Sequence, residues 1–245
     1  MAKSGGLGML MAVGEVNLSN DTGSIQQIGT PRGVIDQTGI DKFALERLLT
    51  HRDGLINWTS HFNPALAHAK LSDLPTTDQI ITVGKASALG AVAASLNAKQ
   101  VNYDGARNAD ASVPFTVQAV GNQYGLEWGN LVTAGQRNDT SATNGSGVDF
   151  TAGASFGLQA YCHLFAFTGT SVTIKLQESS DNGSSDAYAD VAGGSFGALT
   201  TPGGSRIQTA RNQTVERWLR VVTTGTFSVA NFLVTVIYNR ATVNF

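Results

Sequence analysis

The chain has 245 residues, a formal net charge of −2 and a pI near 6.0, so it lacks the basic footprint of a duplex-binding domain. Hydrophobic residues make up 42% and charged residues only 14%. That balance supplies a packed interior and a polar, weakly charged surface, which suits a protein largely covered by partners. A single cysteine, Cys162, excludes an intrachain disulfide and a zinc site built mainly from thiolates.

Residues 1–33 are rich in Gly, Ser and Asn and read as an extended arm, with one short strand around residues 13–18 and an end at Pro31 and Gly33. Their apolar patch is short and broken by glycine, unlike a secretory h-region. Nothing elsewhere approaches the ~20 apolar residues needed to span a bilayer. The expectation is a soluble or assembled protein made in a cytoplasm, with no membrane partner. In "DKFALERLLTHRDG" (41–54), Phe43, Leu45, Leu48 and Leu49 have amphipathic spacing, which predicts a helix over 41–50. Asp41 serves as its N-cap and Gly54 as its stop.

Residues 55–63 alternate, with Ile56, Trp58, Ser60 and Phe62 on the more apolar face, so a strand is predicted. Pro64 opens and Pro75 stops a short helix over 64–75. Strands follow over 78–86, 91–103 and 112–120, the last two joined by the turn "DGARNAD". Residues 131–155, dominated by Thr, Ser, Asn, Gly, Ala and Asp, read as a linker. Short strands then recur over 156–167, 172–180, 187–192, 206–210, 216–225 and 231–240. The fold expected is mainly β: an N-terminal β-sandwich or barrel with one or two short helices over 1–147, then a C-terminal jelly-roll or Ig-like sandwich over 148–245.

Chemistry-bearing motifs are sparse. No Walker A, G-x-S-x-G or H-E-x-x-H pattern occurs. His61 and His68 lie seven apart across a strand-to-helix junction and read as ordinary surface or interface residues. Cys162 sits in the apolar run "LQAYCHLFAF" and reads as a buried, inert thiol, with His163 on the opposite strand face. The stretch "QESSDNGSSDAYADVA" gathers Asp181, Asp186 and Asp190 around Asn182-Gly183. Its spacing departs from an EF-hand, and Asn-Gly is hairpin-turn chemistry, so a turn is expected. A looser calcium site on the three aspartates is the minority option. Otherwise no metal, cofactor or catalytic residue is expected. Glu127 and Asp149 form the one loop-side carboxylate pair for a hydrolase, and nothing in the sequence orients them. Trp218 and Tyr188 could stack on sugars, but the strand period turns Trp218 into the core.

The segments "LERLLTHRDGLINWTSHFN", "AHAKLSDLPTTDQIITV", "AKQVNYDGARNADASVPFTVQAVGNQYGLEWG" and "LVTAGQRNDTSATNGSGVDF" resemble, in order and spacing, the major tail (tail tube) proteins of long-tailed bacteriophages. The stretch "VTIKLQESSDNGSSDAYADVAGG…ERWLRVVTTG" is similar to β-sandwich modules appended to phage structural proteins. The resemblance implies a non-enzymatic virion protein that forms hexameric rings, stacked into a tube that delivers the genome, with the C-terminal module outside. It implies a tape measure protein and phage DNA in the lumen, and tail terminator and distal tail proteins at the ends. An N-terminal arm, here 1–33, and a long loop, with 84–98 one candidate, would bridge adjacent rings. The alternative is a capsid or tail decoration protein that binds host-surface carbohydrate.

Overall fold

The computed structural model describes residues 5–241. In chain order, β1 (Leu10–Val13), β2 (Val16–Asn17), β3 (Thr22–Gly29), β4 (Arg32–Asp36), β5 (Arg47–Arg52) and β6 (Leu55–His61) precede a short helix, α1 (Ala67–Leu71). Then come β7 (Gln79–Gly84), β8 (Val92–Gly105), β9 (Pro114–Gly121), β10 (Glu127–Leu131), β11 (Arg137–Asp139) and β12 (Val148–Asp149). The last are β13 (Leu158–Ser179), β14 (Ala189–Leu199), β15 (Gly203–Gln208) and β16 (Trp218–Tyr238). The protein is mainly β, as its sequence predicts; its sheets are antiparallel and close into no barrel among the described residues.

The chain divides into two compact units that interleave in sequence. The first comprises Met1–Asn20, Gln79–Ser95 and Trp128–Phe245; the second comprises Asp21–Asp78 and Leu96–Glu127. The division expected between 147 and 148 therefore falls inside the first unit. The polar stretch 131–155 is no linker: β11 and β12 both pair with β16. Val132, Val148, Phe150 and Ala154 anchor it in the core, so a few apolar side chains outweigh its loop-like composition.

The first unit is built on β13 and β16, which pair antiparallel from Leu158↔Tyr238 to Ser179↔Trp218. Four of the expected short strands are thus two long ones. Gly169 (φ 153°) lies in the expected gap between two strands and Gly225 (φ 118°) at the expected end of one, and they carry the strands on through bulged or bent backbone instead. Both halves of β13 face one core: Leu158, Ala160, Cys162 and Leu164, then Val172, Ile174 and Leu176. Leu219, Val221, Phe232, Val234 and Val236 of β16 complete it. The expected N-terminal arm is also sheet: β1 is buried throughout and pairs with β2 and β7.

Gln159 points away from that core yet is fully buried, and its amide oxygen and nitrogen meet no hydrogen-bond partner among the described residues. An unpaired buried polar group costs about 1–3 kcal/mol, whereas an apolar group of the same shape avoids that cost. Gln159→Met, near-isosteric, should stabilise the first unit by about 1 kcal/mol, raising Tm by about 2–4 °C. A fall in Tm measured by calorimetry would refute this reading of the site.

In the second unit β6 lies between β3 and β9, and β9 also pairs with β8. Ile56, Trp58 and Ser60 are fully buried on one face of β6, the alternation read from the sequence, with Val117, Ala119, Leu96 and Ala98 also in the interior. Helix α1 is shorter than predicted: Ser72 N–H closes its last bond on His68 O (3.0 Å), and Ala67 and Leu71 are its buried residues. Asp78 ties the unit's margin together. It accepts from Asn97 (2.8 Å) and Asn122 (3.0 Å) and pairs with Lys99 (2.6 Å), contacts that hold its carboxyl below the usual range.

Candidate functional site

The predicted helix over 41–50 is instead part of a two-stranded ribbon. β4 and β5 pair only with each other among the described residues. Asp36 accepts from Thr38 N–H (2.9 Å), Glu46 N–H donates to Thr38 Oγ1 (2.9 Å), and Gln37 N–H donates to Glu46 O (2.9 Å). These bonds set the turn and give Leu48 and Leu49 strand partners. Helical propensity in such a stretch is a weak preference that cross-strand pairing overrides.

The ribbon's surface is unusual. Val34 pairs with Leu49 and Ile35 with Leu48, so alternation puts one apolar pair on each face. All four are about half exposed, and at the tip Ile40 and Phe43 are fully exposed. Among the described residues, seven of the fifteen large exposed hydrophobic side chains, counting Leu45, lie between 34 and 49. An isolated two-stranded ribbon is marginally stable in water, and an exposed apolar cluster of this kind marks an interaction surface. The candidate for the long ring-bridging loop, 84–98, is only in part a loop: it runs from the end of β7 into β8, and Ala93, Ala94 and Leu96 are buried.

The acidic stretch folds as a turn between β13 and β14. Asn182 (φ 65°) and Gly183 (φ 77°) both adopt the left-handed conformation that Asn-Gly favours. Asp181 accepts backbone N–H groups of Ser184 (2.9 Å) and Ser185 (2.6 Å), and Asp186 accepts from Ser180 N–H (2.7 Å). Asp190 lies apart, accepting from Lys175 Nζ (2.6 Å) and Gln177 Nε2 (2.7 Å). Hydrogen bonds to the ionised form lower all three carboxyl pKa values. The three aspartates therefore serve separate partners, and the described residues hold no group of three or more metal-ligating side chains placed around one ion. Adding a calcium chelator should leave Tm unchanged; a clear drop would restore the calcium reading.

Cys162 is 1% exposed in the core, and burial pushes its thiol pKa upward, so thiolate chemistry is suppressed there. His163, on the opposite face, is fully buried. Its Nδ1 donates to Gly14 O (2.7 Å) and its Nε2 meets Thr82 Oγ1 (2.8 Å). The chain continues through Ser95 (2.9 Å) to Thr235 (2.8 Å). This polar tie was not legible in the sequence, because its members are spread from Gly14 to Thr235. His68 Nδ1 lies 3.3 Å from Tyr103 Oη in an aromatic group with Phe62 and Phe115. His61 lies against Gly23, where an added Cβ would come within 2.7 Å of its ring nitrogen. Of the proposed hydrolase pair, Asp149 is held by Arg217 (2.7 Å) and Glu127 is buried.

Trp218 corrects the sequence reading. Its neighbour Leu219 takes the core position, so Trp218 lies on the opposite, partly exposed face of β16. The strand period was right and its phase was not.

No family model matches the chain, and no curated protein matches it. Among solved structures it is similar to the SPP1 Dit protein, described as a paradigm of the hub adsorption apparatus in Gram-positive infecting phages. That likeness covers 94% of this chain and 98% of the other, at 10% identity and a TM-score of 0.33.

Proposed function

We propose that this chain is a non-enzymatic structural subunit of a bacteriophage tail that polymerises with itself. In this reading it forms stacked, hexameric rings that build a tube for genome delivery. It assembles in the host cytoplasm, with the tape measure protein and DNA in the lumen and terminator and distal tail proteins at the ends. The observation that carries it is the ribbon of β4 and β5, with apolar side chains on both faces and no further strand beside it among the described residues. Such a surface is a liability in a lone monomer and an asset in a repeating assembly, where a second copy covers it and pairs its edges. The ordered resemblance to tail tube proteins over the N-terminal 150 residues points the same way, and the weakly charged composition fits a lumen that must pass DNA without gripping it.

Negative-stain electron microscopy of the purified full chain tests the proposal. Rings or tubes are expected as protein concentration rises. A chain that stays monomeric at every concentration, and is absent from purified tails, would refute it.

A further inference from the structure

The outward face of the β14–β13–β16 sheet in the first unit carries an ordered set of polar and aromatic side chains that tube formation does not explain. Three cross-strand rows define it. Ser179 faces Trp218, Gln177 faces Arg220 on one side and Asp190 on the other, and Lys175 faces Val222 and Ser195. The turn 180–188 forms a rim on the same face: Ser179 Oγ donates to Asp186 O (2.8 Å) and accepts from Gly183 N–H (2.8 Å). From that rim Tyr188 lays its ring on the Arg220 guanidinium, 4.1 Å from the ring centre, and its hydroxyl donates to Asn182 Oδ1 (2.7 Å).

The polar members are fixed by one another and keep bonding capacity. Arg220 donates from Nε (3.0 Å) and Nη2 (2.7 Å) to Gln177 Oε1, which leaves three of its five N–H groups. Gln177 Nε2 donates one hydrogen to Asp190 Oδ1 (2.7 Å) and keeps the other. Lys175 donates one of its three to Asp190 Oδ2 (2.6 Å), so each Asp190 oxygen keeps a lone pair. Asp190 is 54% exposed at its side chain. Lys175 and Arg220 against Asp190 and the rim's Asp181 and Asp186 leave the face and its rim one negative charge in excess.

We infer that this face is a binding site for an oligosaccharide, with Trp218 and Tyr188 supplying ring surface and Lys175, Gln177, Asp190 and Arg220 supplying the hydrogen-bond grid. A polyhydroxylated ligand needs both parts. Ring carbons bearing hydrogens pack on aromatic faces, and vicinal hydroxyls bridge a planar amide, carboxylate or guanidinium that can donate or accept two bonds. Prior fixing of those groups removes ordering entropy that would oppose binding. An apolar peptide would leave these donors and acceptors unsatisfied when it covered them, and nucleic acid would need an excess of positive charge that this face lacks. The near balance of charge fits a neutral glycan.

The test is a titration of isotope-labelled full chain with soluble chitotetraose, maltotetraose and cellotetraose, read by backbone amide and Trp218 indole shifts. At least one should shift resonances confined to this face. Lys175→Ala combined with Asp190→Ala, both at the surface, should weaken that binding by about tenfold or more. Trp218→Ala, checked for folding by circular dichroism, should abolish it. The inference is overturned if none of the three sugars shifts the face at millimolar concentration, if the shifts map elsewhere, or if the double variant binds as the parent does. Ring formation is scored separately by microscopy, so failure here leaves the assembly reading standing.

Discussion

Phe43→Asp combined with Leu48→Asp is expected to keep the protein monomeric while leaving the monomer's Tm almost unchanged. Phe43 is fully exposed and Leu48 is half exposed in the single chain, so each contributes little to its stability. Surface changes of that kind usually stay within about 0.5 kcal/mol. In an assembly that covers the ribbon, the same side chains leave water, and burying each gives about 1.5–3 kcal/mol. Losing both, before any penalty for burying the new carboxylates, weakens each contact by about 3–6 kcal/mol, or roughly two to four decades in association constant. Sedimentation velocity beside a thermal melt reads both quantities. Unimpaired assembly would remove the ribbon from the interface. A large fall in Tm would show that the ribbon packs on its own chain.

That ribbon is also where sequence reading went furthest astray, for a physical reason. Leu45, Leu48 and Leu49 are spaced three and four apart, which is the helical signal. Leu48 and Leu49 sit on alternate faces of a strand when a partner strand is available, and Leu45 lies in the turn before it. Only the pairing with Val34 and Ile35 decides, and periodicity within one segment cannot report it. Strand β6 shows the opposite case. One face of it is covered, so Ile56, Trp58 and Ser60 imprint a period of two that needs no partner to be read. Gly169 in an expected gap, and Gly225 at an expected strand end, hid the continuity of β13 and β16, because glycine serves strand ends and bulged strands alike. The acidic loop was legible because Asn182-Gly183 dictates its own backbone conformation. Trp218 was not, because a single residue of phase separates it from Leu219, and that phase is set by the register with β13.

His163→Ala should be the most damaging single change in the first unit outside its apolar core, lowering stability by about 3–5 kcal/mol. Two terms add. The buried carbonyl of Gly14 and the hydroxyl of Thr82 each lose a partner, at about 1–3 kcal/mol for an unsatisfied buried group. The vanished ring also leaves a cavity, with its own penalty. The carbonyl of Gly14 can only accept, so Nδ1 must carry a hydrogen, and the tautomer of the neutral ring is fixed. Thr82 then donates to Nε2 and accepts from Ser95, which accepts from Thr235, so one substitution unsettles a chain of hydroxyls linking β7, β8 and β16. At about 2–4 °C per kcal/mol, the transition of this unit should fall by roughly 6–20 °C. Thr235→Val, at the far end of the chain, strands only Ser95 and should cost about 1–2 kcal/mol. If calorimetry finds both variants within a degree of the parent, the tie is a passenger in the fold, and the hairpin of β1 and β2 is held by its apolar residues alone.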